Sequence, residues 1–189
     1  DSLGKLIIHN YDASDALNSS AIGYFDFANG TSLSYAELLG SGFQLAGDDG
    51  NDTLLGSNLD DSLIGNAGND TLTAGLGDDT LQGGVGDDLL LGGAGADLYL
   101  YAKGDGSDTI LESADGSINT LRFAAGLTAE DIELAADPAQ NLSLGIKGTD
   151  DSIVLANWLA GGSDLVQRIE FADGVVWTPD WITRNLRTR

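Results

Sequence analysis

The sequence contains no cysteine, so neither a disulfide framework nor a thiolate metal site is available to it. Positive charge is scarce as well: eight Lys and Arg stand against 30 Asp and Glu, for a formal charge of −22. Phosphate recognition needs basic patches, so this balance argues against nucleic acid as a partner. No apolar run reaches the ~18 residues of a membrane span. No leader pattern opens the chain at Asp1, and methionine is absent, so the sequence reads as a piece of a longer protein. Catalytic sets are missing too. There is a single histidine, His9, in a strand-like run that reads as packing, and no Ser/His/Asp or Cys/His combination. The glycine-rich stretches lack the GxxxxGK[ST] pattern of a phosphate cradle. The chain is therefore expected not to be an enzyme by itself.

What is present is aspartate in a particular place. Between Gly47 and Leu100 there are eleven Asp and no Glu, Lys or Arg. Glutamate would serve solubility equally well, so exclusive use of the shorter acid points to turns, where a carboxylate reaches its own backbone or an ion. Leucine at regular spacing through the same stretch argues against disorder.

A period of nine residues runs through it. The copies are GDDGNDTLL (47–55), GSNLDDSLI (56–64), GNAGNDTLT (65–73), AGLGDDTLQ (74–82), GGVGDDLLL (83–91) and GGAGADLYL (92–100). Position six is always Asp: Asp52, Asp61, Asp70, Asp79, Asp88 and Asp97. Position eight is Leu54, Leu63, Leu72, Leu81, Leu90 and Tyr99. After a two-residue insertion, KGDGSDTIL (103–111) places Asp108 at position six, and ADGSINTLR (114–122) places Asn119 there. Positions one to six must turn, with glycine supplying positive φ. Positions seven to nine are long enough for a short strand, whose position-eight side chain points to one face and its neighbours to the other. Nine residues then make half a coil and eighteen a full one. Stacked coils give two parallel sheets with position eight inside, and two columns of turns rich in carboxylates and carbonyls. If the acids merely capped turns, like charges would stack one strand spacing apart, ~4.8 Å. At an effective dielectric of ~20 each such contact costs ~3 kcal/mol before screening. A hard divalent cation with six to eight oxygen ligands removes that cost, and magnesium suits the task less because it dehydrates reluctantly. The adjacent acids Asp60/Asp61, Asp78/Asp79 and Asp87/Asp88 recur with the same period, so the repeat explains them without a glycosidase pair.

These copies resemble the RTX (haemolysin-type) repeat GGxGxDxUx, a calcium-binding parallel β-helix motif. The resemblance is strict over 47–100 and extends to about 122 with the degenerate copies. It implies that each ion sits between a turn and the turn one coil later. The earlier turn gives carbonyls two and four plus Asp six; the later gives carbonyls one and three plus Asp six. Carried over, the first site joins Asp48, Gly50 and Asp52 to Gly65, Ala67 and Asp70. The second joins Ser57, Leu59 and Asp61 to Ala74, Leu76 and Asp79, with Leu59 at a glycine position. The third joins Asn66, Gly68 and Asp70 to Gly83, Val85 and Asp88. The fourth joins Gly75, Gly77 and Asp79 to Gly92, Ala94 and Asp97. The fifth joins Gly84, Gly86 and Asp88 to Lys103, Asp105 and Asp108, across the phase shift. A sixth, joining Gly93, Gly95 and Asp97 to Ala114, Gly116 and Asn119, lacks its second carboxylate. About five or six calcium ions are implied.

The C-terminal third reads as short strands at Thr120–Phe123, Ile132–Leu134, Leu142–Ile146, Ile153–Leu155 and Ile169–Phe171. Asp173-Gly174 signals a hairpin turn, and Thr178 an N-cap followed by Pro179 at the first helical position. The segments GDGSDTI (104–110), GTDDSIVLANW (148–158) and IEFADGVVW (169–177) resemble the haemolysin-type calcium-binding-related domain. The N-terminal segment repeats the end of it. LIIHNY (6–11) parallels SIVLANW (152–158), and FDFANGTSLSYAEL (25–38) parallels IEFADGVVWTPDWI (169–182). A capping box at Ser34-Tyr35-Ala36-Glu37 predicts a short helix before the repeats. Trp158, Trp177 and Trp181 read as core or cap packing rather than sugar platforms. Leu89, Leu91, Leu98 and Leu100 occupy outer strand positions that are polar in most earlier copies; the C-terminal segment is expected to cover them, with a sticky surface for another protein as the alternative.

The expected architecture is all-β: an N-terminal cap (1–46), a parallel β-roll (47–122) and a C-terminal β-rich cap (123–189). The resemblance implies a calcium-binding module of a larger secreted bacterial protein, exported by a type I system and folded outside the cell on calcium. Its partners would be calcium and neighbouring modules of the parent chain. A carbohydrate-binding or adhesive module facing polysaccharide or a cell surface, or a non-catalytic part of a secreted enzyme or toxin, stays open as an alternative.

Overall fold

Leucine or an equivalent at every ninth residue, between glycine-rich turns, produces two parallel sheets back to back. The computed structural model describes residues 24–26, 32–34, 42–113, 115–160 and 166–186. An N-terminal hairpin pairs β1 (Tyr24–Asp26) with β2 (Ser32–Ser34). The roll then alternates between sheets through β3 (Gln44–Ala46), β4 (Thr53–Leu55), β5 (Ser62–Ala67), β6 (Thr71–Leu76), β7 (Thr80–Val85), β8 (Leu89–Ala94), β9 (Leu98–Tyr101), β10 (Ser107–Leu111) and β11 (Asn119–Phe123). The C-terminal segment holds β12 (Ile132–Ala136), β13 (Leu142–Ile146), β14 (Ser152–Leu155), β15 (Val166–Glu170), β16 (Val176–Trp177) and the helix α1 (Pro179–Asn185). The first sheet runs β12-β13-β14-β10-β8-β6-β4 and the second β16-β15-β11-β9-β7-β5-β3.

Pairing in the roll is parallel, and the register places equivalent residues side by side. Leu54, Leu72, Leu90 and Ile110 line up in one sheet, and Leu45, Leu63, Leu81, Tyr99 and Leu121 in the other. These side chains meet between the sheets. Leu63, Leu72, Leu81 and Tyr99 are fully buried, whereas Leu54 at the start of the stack is half-buried. Strands β5 to β8 are longer than the expected three residues, because pairing continues through positions one to three of the next turn, as in Asn66 beside Gly84 and Gly75 beside Gly93.

The C-terminal segment extends the same two sheets. β14 adds parallel to β10 and β15 parallel to β11, so the last repeat strands have no open edge. An aromatic chain leads out of the roll: Tyr101 meets Phe123 edge-on at 5.9 Å, Phe123 stacks on Phe171 at 5.1 Å, and Phe171 meets Trp177 at 4.8 Å. Trp177 stacks on Trp181 at 4.3 Å, and buried Trp158 donates its Nε1–H to the Val166 carbonyl. The expected turn at Asp173-Gly174 joins β15 to β16, with Gly174 at φ 87. The expected helix begins at Pro179 after the Thr178 cap.

The C-terminal segment leaves the outer leucines partly exposed. Its strands join the sheets beyond β10 and β11, where unpaired backbone groups demand partners, and Leu89 stays 36% exposed while Leu91, Leu98 and Leu100 are half-buried.

The two hairpins share one register. Phe25 faces Leu33 and Asp26 faces Ser32; 144 residues later Ile169 faces Trp177 and Glu170 faces Val176. The helix expected after Ser34, the LIIHNY segment and His9 lie outside the described residues.

Candidate metal centre

The position-six aspartates form two ladders along the roll. In one, the Asp52 N–H donates to Asp70 Oδ1 (2.7 Å), Asp70 N–H to Asp88 Oδ1 (2.7 Å) and Asp88 N–H to Asp108 Oδ1 (3.1 Å). In the other, Asp61 N–H donates to Asp79 Oδ1 (2.6 Å), Asp79 N–H to Asp97 Oδ1 (2.9 Å) and Asp97 N–H to Asn119 Oδ1 (2.9 Å). Each side chain thus reaches back one coil. Position five runs the opposite way: Asn69 N–H donates to Asn51 Oδ1, Asp87 N–H to Asn69 Oδ1 and Asp78 N–H to Asp60 Oδ1. The two ladders satisfy the N–H groups of positions five and six, and the inner Oδ2 atoms of Asp70, Asp79, Asp88 and Asp97 are left over.

Those inner oxygens are the decisive feature. Oδ2 of Asp70, Asp79, Asp88 and Asp97 is buried with no hydrogen-bond partner. A buried carboxylate oxygen without a donor is unfavourable unless a cation meets it. The Oδ2 atoms of Asp70, Asp88 and Asp97 point at position one of their own turns. A Cβ on Gly65, Gly83 or Gly92 would collide with the Oδ2 of Asp70, Asp88 or Asp97, which is why these positions are bare. Burial, the largest cause, pushes Asp79 up to about 7, Asp88 and Asp97 to about 6 and Asp108 to about 8. The backbone N–H at each Oδ1 opposes the rise and neighbouring carboxylates, where they face these groups, add to it.

The structure brings the paired turns together. Turns 47–52 and 65–70, 56–61 and 74–79, 65–70 and 83–88, and 74–79 and 92–97 each lie one coil apart, with Gly68 N–H on the Val85 carbonyl and Gly77 N–H on the Ala94 carbonyl. The phase shift does not disturb the stack: Gly86 N–H meets the Asp105 carbonyl at 2.7 Å, so turn 103–108 takes the same place over 83–88. The first coil differs. Asp48, Gly50, Ser57 and Leu59 lack the positive φ of Asn66, Gly68, Gly75 and Gly77. There Asp52 Oδ2 accepts the Asp48 N–H, and Asp61 Oδ2 accepts both the N–H and hydroxyl of Ser57.

The donor set fits calcium. It is all oxygen, two carboxylates and main-chain carbonyls per pair of turns, which suits a hard cation. Among the described residues no three His, Cys, Asp or Glu side chains converge. A site drawing most of its oxygens from the backbone needs only two.

Residues 46–81, 64–99 and 73–110 match the RTX calcium-binding nonapeptide repeat. This segment is an RTX repeat roll. RTX nonapeptide repeats bind calcium. Residues 141–180 match the haemolysin-type calcium binding protein related domain, the stretch whose β14 and β15 continue the roll. No curated protein matches the chain. Among solved structures it is similar to the extracellular lipase LipA from Serratia marcescens, at 26% identity and TM-score 0.46, covering 69% of this chain and 20% of that one. It is also similar to the AlgE6R3 subunit of the Azotobacter vinelandii mannuronan C5-epimerase, at 25% identity and TM-score 0.33, covering 70% of this chain and 81% of that one. The chain spans about one fifth of the lipase's length.

Sequence reasoning missed Glu112. Asp108 and Ile110 point inward from β10, and strand alternation continues that side to residue 112. Both Glu112 carboxyl oxygens are buried without a hydrogen bond of good geometry, although the Tyr99 hydroxyl lies beside them. Burial, with Asp97 and Asp115 facing it, pushes Glu112 up to about 8.

Proposed function

We propose that the chain is a calcium-folded, non-catalytic module of a larger secreted protein, ordered and stiffened by ions held between successive turns. The observation that carries this is the row of unpartnered inner oxygens on Asp70, Asp79, Asp88 and Asp97. Residues 47–115 hold fourteen Asp and one Glu against one Lys, a net charge of −14, which five or six divalent ions would nearly neutralise. Bound calcium supplies the opposing charge and a coordination shell of six to eight oxygens. The chain's own residues do the rest. Position-six aspartates hold their Oδ1 on the neighbouring coil and present Oδ2 inward; positive-φ residues such as Gly75 and Gly77 shape the turns that present the carbonyls. The first to fifth ligand sets named above are the proposed sites.

Without ions, carboxylate repulsion adds to the entropy of ordering glycine-rich turns. The inner ladder is one residue wide per strand, too thin to offset both. Ions that bind only the folded form then stabilise it by mass action. Modules of this kind respond at ~0.1–1 mM calcium. A chain that stays unfolded at cytosolic calcium suits export before folding, which is how the RTX family supports secretion. The shared hairpin register supports a parent built of alternating rolls and caps, with 1–46 closing a preceding unit.

The test is far-UV circular dichroism with hydrodynamic radius, in chelator and then in millimolar calcium or magnesium. The expected result is a steep, cooperative compaction with calcium alone. A compact β-rich roll that persists in excess chelator would overturn the proposal.

A further inference from the structure

The sixth pair of turns contains a carboxylate that the nonapeptide pattern does not provide. In regular copies the residue after position nine is Gly56, Gly65, Ala74, Gly83 or Gly92, and the glycines face inward against the aspartate of their own turn. After β10 that place belongs to Glu112. The chain is longer here: β10 pairs with β8 at an offset of 20 residues, but β11 pairs with β9 at 22. The added length opens the turn for a side chain. Ser113 bonds its hydroxyl to the Gly93 carbonyl and Asp115 accepts the Gly95 N–H at 2.6 Å, so the lengthened turn still lies against the turn one coil before it.

Inside this pair of turns four polar groups are buried without a hydrogen bond of good geometry. They are Asp97 Oδ2, the Tyr99 hydroxyl, Asn119 Nδ2 and both Glu112 oxygens. Asp97 is 1% exposed, and Tyr99 and Asn119 are 0% exposed. A Cβ on Gly92 would strike Asp97 Oδ2 and the Tyr99 hydroxyl alike, which places both atoms against the same glycine, with Glu112 beside them. Asn119 keeps the ladder bond from Asp97 N–H through Oδ1, but its inward atom is an amide nitrogen, a donor that cannot ligate a cation.

We propose that Glu112 is the second carboxylate ligand of this sixth turn pair, replacing the position-six aspartate that Asn119 lacks, so that Asp97 and Glu112 together hold a hard divalent cation, calcium. The proposal rests on the calcium-binding reading of the roll. A cation there meets two carboxylates, as at the turn pair shared by Asp79 and Asp97 one coil earlier. It also gives a partner to oxygens that have none.

Calcium stoichiometry of the whole chain, by calorimetry and by native mass spectrometry, tests it. Glu112→Gln, isosteric and neutral, should bind one ion fewer than the unaltered chain with the other sites unchanged. Adding Asn119→Asp to that variant should restore the ion. Asn119→Asp alone should leave the count unchanged, because the site already has both acids. Full stoichiometry in Glu112→Gln overturns the role of Glu112 and leaves the roll's other sites standing. So does an additional ion in Asn119→Asp alone, which remains decisive if Glu112→Gln fails to fold. An unaltered chain that takes up no calcium overturns both this inference and the reading it rests on.

Discussion

Asp70 accepts the backbone N–H of Asp52 through Oδ1 at 2.7 Å, across one full coil, while its Oδ2 is buried without a partner. One side chain therefore splices two coils with one oxygen and faces an ion position with the other. In the proposed scheme it also serves two sites, whereas Asp52 serves one and already satisfies its Oδ2 with the Asp48 N–H.

Asp70→Ala should accordingly lose more bound calcium than Asp52→Ala, and it should also weaken the splice. Calorimetric titration of the two variants side by side is the measurement. Equal losses would contradict the pairing of turns one coil apart.

The roll should respond to acid when calcium is absent. Burial raises Asp79, Asp88, Asp97 and Asp108 to between about 6 and about 8, above the ~3.9 of an unfolded aspartate. Protonation thus favours the ion-free fold. Its contribution is fully present below pH ~4 and is lost as pH rises through the raised values. In chelator, compaction should increase on acidification from pH 8 to pH ~5, and calcium affinity should fall over the same window as protons compete. Dichroism and hydrodynamic radius across that range, without calcium, would show it. Expansion on acidification would refute the sign.

Glycine at position one should be needed for space rather than for backbone conformation. Gly83 is not at positive φ, yet a Cβ there would strike the Asp88 carboxylate. Gly104 has φ 95 and nothing within 4 Å of an added Cβ. Gly104→Ala should cost ~1–2 kcal/mol of backbone strain. Gly83→Ala should cost more and also reduce calcium uptake, which Gly104→Ala should not. Denaturant melts and calcium titrations of both variants separate the two mechanisms.

The inner ladder should be sensitive to truncation. Leu81 is fully buried between the sheets, so Leu81→Ala should destabilise the calcium-loaded chain by ~2–5 kcal/mol. Leu55, 67% exposed on the outer face, should tolerate the same change within ~0.5 kcal/mol. Urea unfolding at saturating calcium provides the comparison, and similar losses at both positions would argue against a one-residue-wide core.

The roll follows from the repeat alone. A nine-residue period with Leu at position eight leaves one way to bury the leucines, and the register that aligns Leu63 with Leu81 follows from that spacing. It also determined the acidic columns, because Asp52, Asp61, Asp70 and their successors recur in phase with the turns. The antiparallel hairpin at Asp173-Gly174 and the helix start at Pro179 were legible for the same reason: local chemistry decides them. Features that depend on contacts between distant segments are set only in the folded chain. β14 and β15 join the roll's own sheets because the open edges of β10 and β11 demand hydrogen-bond partners, and no local pattern records which strand will supply them. The first coil closes its turns differently, since the inner oxygen of Asp61 accepts from Ser57 and that of Asp52 from the Asp48 N–H. Glu112 belongs to no repeat position. It takes its place beside Asp97 and Tyr99 only because two extra residues widen a turn that stacks on another, and that juxtaposition exists in three dimensions alone.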